Sequence, residues 1–238
     1  MQNFLRSTRN KLLEIFFPEI CFGCEKTGKM LCEECEETIK NNKRKKTNLE
    51  NISWVYSGLN YQNHILQKIF YAFKYSHTKS LSKYLAKLVE KDFVDFLKKV
   101  LEESGSEYKN LIFIPIPISK KRKLERDYNQ SEILLEEIIK IIKEKENLNL
   151  QTQNSLDFLL KTKHTIKFAS THSRDEREKL IKNVFSINPK YSKEFTKDKI
   201  FILLDDITTT GTTFYEARKN LMDFGIPKNN IYAYALAH

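Results

Sequence analysis

Asp205 and Asp206 stand together at the end of an apolar run, Ile200 to Leu204, and a turn of small hydroxyl residues around Gly211 follows them. Such a run reads as a buried strand of a parallel sheet. From Phe214 to Phe224 the apolar spacing becomes helical. Strand, turn and helix is the arrangement in which backbone N–H groups and a helix N-terminus hold a phosphate. Thr208, Thr209, Thr210, Thr212 and Thr213 add hydroxyl donors, and Gly211 lets the backbone come close to an anion. Carboxylates accept hydrogen bonds from ribose hydroxyls, as an acidic residue does in dinucleotide sites. Two acids directly before a phosphate cradle therefore suit a ligand that is part sugar and part phosphate. The turn is not a Walker loop, because no Gly-Lys-Ser/Thr ending is present.

A second cluster has metal chemistry. All four cysteines, Cys21, Cys24, Cys32 and Cys35, form two Cys-x2-Cys knuckles separated by seven residues. Four thiolates so spaced can surround one tetrahedral zinc ion and leave no open position for water, which makes the metal structural rather than catalytic. Gly23 eases the first knuckle, and Cys32-Glu-Glu-Cys35 opens a helix running toward Lys40. A disulfide pair or a redox Cys-x-x-Cys are the competing readings. No secretory signal is evident, and the lysine-rich chain suggests a reducing compartment, which favours zinc.

The elements that position these groups follow from pattern. A chain of 238 residues accommodates one α/β domain with a small appendage. Apolar residues make up 40% and aromatics 12%, which excludes a disordered chain, and no apolar run approaches the ~18 residues of a membrane span. Arg6, Arg9 and Lys11 precede Leu12 to Phe17, but Glu14 interrupts the apolar part, so a short amphipathic helix is expected there rather than a leader. Strands are expected at Ile52–Tyr56, Leu111–Ile118 (central), Phe158–Leu160, Lys199–Leu204 and Ile231–Leu236, the last closing the sheet. Helices are expected over Ile65–Tyr75, Leu81–Leu101 and Ile133–Ile142, with a turn over Glu102–Lys109. Alternating strands and helices argue for a parallel α/β sheet. Residues 1–46 are expected to form the N-terminal helix and zinc ribbon with a basic linker, and 47–238 the main domain.

The net charge is +10. Lys43-Arg44-Lys45-Lys46 and Lys120-Lys121-Arg122-Lys123 make a polyanion partner plausible, and the first cluster is a candidate contact for single-stranded DNA as well as a solvated linker. Arg174 and Arg177 lie on a polar, glycine-free stretch that could fold over a ligand as a lid. The five histidines show no metal-like spacing and no nucleophilic triad.

Residues 200–213 resemble the signature of the type I phosphoribosyltransferases, which bind 5-phosphoribosyl-1-pyrophosphate (PRPP). The resemblance implies that Asp205 and Asp206 face the ribose hydroxyls and that Thr208 to Thr213 wrap the 5′-phosphate. Magnesium would be held mainly by the ligand's oxygens. Together with the cysteine knuckles, the chain resembles the ComF/GntX-like competence proteins of the ComFC type. Phe17-Pro18, Phe73-Lys74-Tyr75, Ile114 to Ser119, Arg126 to Gln130 and Arg174 to Arg177 with Phe185 match that family's blocks. Asp127 stands where the family has Gly, so this turn is expected to be built differently; Phe168 and Leu180 replace a Gln and an Asn. In related enzymes a pyrophosphate loop follows a strand like 111–118, which points to Ser119, Lys120, Lys121 and Arg126. Arg122 and Lys123 read better as surface charges. Tyr128 is the aromatic nearest that loop in sequence.

The likeness implies a type I phosphoribosyltransferase-like sheet flanked by helices. It also implies a cytoplasmic role in handling incoming single-stranded DNA during natural transformation, at the inner face of the membrane with a helicase-type partner. A metabolic phosphoribosyltransferase using a base or amine acceptor and a non-catalytic PRPP sensor are the alternatives. The zinc ribbon and basic clusters separate the first reading from the second. Turnover of PRPP separates enzyme from sensor.

Overall fold

The computed structural model describes residues 18–42, 53–76, 78–146, 153–154, 156–162 and 184–238. The N-terminal amphipathic segment, the Lys43–Lys46 cluster, Arg174 and Arg177, and the departures at Phe168 and Leu180 lie outside these residues. Five parallel strands form the main sheet in the order β1 (Val55–Leu59), β7 (Ile231–Ala237), β6 (Ile200–Ile207), β2 (Leu111–Pro115) and β3 (Gln153–Asn154). A separate antiparallel pair joins β4 (Leu159–Lys161) to β5 (Phe185–Ile187).

Alternation along the strands assigns each sheet face its own core. Phe113, Ile202, Leu204 and Tyr234 face one cluster with α2 (His64–Tyr75), α3 (Leu81–Ser104) and α5 (Gln130–Glu146). Ile112, Ile114, Phe201, Leu203 and Ala233 face the other, with α6 (Thr212–Phe224) and the β4–β5 pair. Both faces are covered, so β6 is buried from Ile200 to Leu204. The helix α1 (Glu33–Asn41) and the cysteine unit also join the first cluster through Cys21, Leu31, Cys35 and Ile39.

This topology fixes where a ligand belongs. From β6 the chain passes through α6 to β7 on one side, while from β2 it passes through α5 to β3 on the other. The strand order therefore reverses between β6 and β2, and ligands of open α/β sheets bind beyond the strands' carboxyl ends at such a point. Asp205 and Asp206 are the residues of β6 that arrive there.

Several elements differ from the sequence expectation. The strand at 231–237 does not close the sheet: it lies between β1 and β6, and β1 is the edge. The strand at 111–115 lies next to the edge rather than at the centre, and the short strand near 158–160 belongs to the second sheet. The expected pyrophosphate loop is instead a two-turn helix, α4 (Lys120–Arg126), with Ser119 at its N-cap accepting from Arg122 N–H at 3.3 Å. Six of its seven residues are charged and Leu124 is exposed, so no apolar stripe marks it.

Candidate functional site

At the carboxyl end of β6, Asp206 is buried and Asp205 half-buried. Asp205 Oδ1 accepts from Ser131 Oγ and from Asp206 N–H, both at 2.9 Å. Asp206 Oδ1 accepts from Ile207 N–H at 2.7 Å, and its Oδ2 pairs with Lys74 Nζ at 2.8 Å. Burial, then the neighbouring Asp206 charge, pushes the Asp205 carboxyl up to about 7, against the pull of Lys74 and Ser131. Asp205 thus titrates near neutral pH while Asp206 keeps a cation at hand.

The block Arg126–Gln130 holds these partners in place. Tyr128 is buried, its ring 5.6 Å from Phe73, and its hydroxyl donates to Phe73 O, the carbonyl just before Lys74. It is a strut for the end of α2 rather than a base-stacking platform. Asn129 ties Ile116 O at 3.1 Å and accepts from Ser131 N–H at 3.2 Å, so the residue that bonds Asp205 is fixed through the backbone exit of β2. Asp127 sits between them at φ +67°, the left-handed region, where it caps α4 by donating its N–H to Lys123 O at 2.8 Å. The turn is therefore built as a glycine would build it, contrary to the expectation from sequence; Asp tolerates this region better than most side chains. Lys79 Nζ meets its carboxylate at 2.9 Å.

Two cations that the sequence did not assign to the site feel Asp205. Burial lowers the Arg122 guanidinium, with Arg126 next among the causes and Asp205 opposing. Burial likewise draws Lys161, at the end of β4, down to about 8, reinforced by Arg122 and resisted by Asp205. Like charges gathered and desolvated around an acid pair suit a polyanionic ligand. Arg122 is thus not the surface charge expected of it. Lys120, Lys121 and Lys123 are exposed, and Lys123 approaches Glu132 at 3.9 Å. Arg126 donates to Gln130 Oε1 at 2.9 Å and lies over the Tyr75 ring at 5.4 Å.

Beyond Asp206 the turn runs into α6. Thr208 is buried and donates its N–H to Ala237 O at 3.0 Å. Thr209 and Thr210 are exposed, and Thr210 and Thr212 share a hydroxyl contact of 2.7 Å. Gly211 has φ +71° and stands at the N-cap, where no side chain caps the helix. The first N–H groups of α6 therefore have no capping side chain, at the positive end of a 13-residue helix. That geometry is what a phosphate at 208–213 requires.

The four cysteine sulfurs lie within 4.8 Å of one another, with Cys24 Sγ 3.6 Å from Cys32 Sγ. Tetrahedral zinc with bonds of about 2.3 Å spaces its sulfurs about 3.8 Å apart, so this donor set could bind zinc. Cys21 Sγ accepts from Gly23 N–H and Cys32 N–H, each at 3.4 Å. Burial resists ionisation of Cys21, but the backbone groups of Cys32, Cys24 and Gly23 outweigh it and bring the thiol down to about 6. A Cβ on Gly23 would stand 2.4 Å from Cys35 Sγ. The glycine is thus required by the approach of the second knuckle, not by an unusual turn. Cys32 stands at the N-cap position of α1, so Cys32-Glu-Glu-Cys35 opens the helix as the sequence suggested.

No protein-family model matches the chain. Over 124 residues, 52% of its length, the chain is 29% identical to Competence protein F of Haemophilus influenzae. The match covers 49% of that protein, so the chain spans about half the length of the curated relative it matches. Among the described residues no helix is long and apolar enough to cross a membrane. The similarity to Competence protein F supports a ComF-like family for this chain.

Proposed function

We propose that this chain is a ComFC-like protein that binds PRPP with magnesium at Asp205–Thr213 and acts on or alongside single-stranded DNA during natural transformation. The observation that carries the reading is the acid pair at the switch point of a parallel sheet, followed directly by the uncapped N-terminus of α6. Asp205 and Asp206 face the ribose hydroxyls, and residues 208–213 take the 5′-phosphate. Lys74, Arg122 and Lys161 replace part of the sequence-based pyrophosphate set. Ser119 acts as a helix cap, and Arg126 is partly engaged with Gln130. Bound magnesium would offset charge on the pyrophosphate; the protein's own share is positioning and exclusion of water.

In this reading residues 1–46 form a zinc unit and 47–238 a phosphoribosyltransferase-like body. The exposed basic face of α4, together with Lys43, Arg44, Lys45 and Lys46, carries the DNA strand. A helicase-type partner and the inner membrane face belong to the same proposal. The test is calorimetric titration of the full chain with PRPP and magnesium, followed by assay of pyrophosphate release with and without oligonucleotide. Binding with release supports an enzyme, and binding without release supports the sensor. Absence of binding in the parent protein rejects both. For the DNA arm, replacing Lys43–Lys46 by Gln lowers the affinity for single strands and flattens its salt dependence by about 0.7 per lost contact. An unchanged curve makes the cluster a linker.

A further inference from the structure

Alongside α6, with its floor at the amino ends of the strands, lies an open cavity of about 1110 Å³, lined in part by Trp54, Tyr215, Tyr232, Arg218, Lys219 and Lys228. Ile231 and Tyr232 begin β7, and Ile231 pairs with Phe201, four residues before Asp205 on β6. At about 3.3 Å per residue the cavity floor is therefore about 13 Å below the acid pair. The floor is thus remote from the proposed PRPP site, while the upper rim, Tyr215, stands in the first turn of α6, four residues after Gly211.

Its floor holds a buried cation without an acid. Arg218 is 7% exposed, and its guanidinium stacks 4.1 Å from the centre of the Trp54 ring. One Nη donates to Lys228 O at 2.7 Å, and Nε has no partner among the described residues. Among the described residues no carboxylate pairs with it, although an unpaired buried charge is costly to the fold. Desolvation weakens its hold on the proton, with only Tyr232 opposing. Lys99, Arg218, Lys219 and Lys228 outnumber the two acids of the lining, Glu103 and Asp223, so the cavity is net positive. Tyr215 stands on its rim, 61% exposed, and presents a free aromatic face.

We propose that this cavity binds a mononucleotide, its base stacked on Tyr215 beside the Arg218–Trp54 pair and its phosphate facing Arg218 and Lys228. Size, aromatic surface and positive charge are together the requirements of such a ligand. A single concave pocket favours one nucleotide over a strand, which requires a groove that tracks successive phosphates. The Arg218–Lys228 floor lies toward the amino ends of the strands and keeps the phosphate away from the reacting end of the sheet, so the nucleotide acts as an effector or a second ligand.

Trp54 is the chain's single tryptophan, so its emission reports the cavity directly. The full chain is titrated with adenosine and guanosine 5′-monophosphates, adenosine, inorganic phosphate and oligothymidylate. The mononucleotides change Trp54 emission saturably, and adenosine or phosphate alone binds at least about tenfold more weakly. Tyr215→Ala and Arg218→Met each weaken the nucleotide about tenfold or more. Tyr215 is exposed, so its variant keeps the test valid even where Arg218→Met disturbs the fold. Asp206→Asn leaves the response intact, which separates it from the PRPP site. The proposal is overturned by the absence of a response at millimolar mononucleotide or by a parent-like response in Tyr215→Ala. A response to oligothymidylate alone, or its loss in Asp206→Asn, overturns it as well.

Discussion

PRPP affinity should depend on pH through Asp205. Ribose hydroxyls donate, so the ligand requires the carboxylate, while burial and Asp206 hold that carboxyl up to about 7. About 3% of Asp205 is then ionised at pH 5.5 and about 90% at pH 8, which makes binding about thirtyfold weaker at the lower pH. The ligand's own phosphate groups also titrate near 6, so the measured slope contains their share. Asp205→Asn isolates it: the variant binds more weakly at pH 8 and retains only the ligand's slope. Calorimetry in two buffers of different ionisation heat counts the protons released near pH 6.5, expected to fall in the variant. Equal proton release in parent and variant would refute the assignment.

The same shift acts on stability in the opposite sense. An unfolded Asp releases its proton near 3.9, whereas the folded protein keeps that of Asp205 to about 7. Between those values the folded state binds more protons, so the free protein loses stability as pH rises through about 4 to 7 and then levels off. Asp205→Asn should therefore melt higher than the parent at pH 8 and close to it at pH 4. A variant that gains stability while losing the ligand is the signature of a strained binding group.

Lys74→Met breaks a largely buried ion pair and leaves Asp206 uncompensated. It should cost about 3–5 kcal/mol at pH 8 in denaturant melts, less when the acids are protonated, and abolish tight PRPP binding. Metal analysis should find one zinc per chain, and Gly23→Ala should lose it, because the new Cβ meets Cys35 Sγ at 2.4 Å; full zinc occupancy in that variant would contradict the geometry. Asp127→Gly should stabilise by about 1 kcal/mol at φ +67°, offset slightly by the exposed Lys79 pair, and raise the melting temperature by about 2–4 °C.

What the sequence could show was the part written contiguously. The apolar run, two acids and glycine turn lie on one stretch, so strand, turn and helix were legible together, and the four thiols were legible from spacing alone. Lys74 is legible in the sequence only as part of the Phe73-Lys74-Tyr75 motif. Its role arises because α2 ends where β6 ends, a tertiary fact, and a lysine in the last turn of an amphipathic helix otherwise reads as a solvated dipole partner. Lys161 lay on a three-residue strand whose partner, β5, is equally short, too little for a period to register. Arg122 lies in a run of like residues and reads as one more surface charge: only the phase of α4 leaves it half-buried and Lys120, Lys121 and Lys123 exposed. The site is thus divided by origin. The groups that recognise sugar and phosphate lie on one local element, while the cations around them come from α2, α4 and β4, which only the fold brings together. Substitutions in 205–213 should therefore weaken ligand recognition directly. Those at Arg122 or Lys161 should alter charge balance and pH dependence, and calorimetric pH profiles of these two variants distinguish the two kinds of loss.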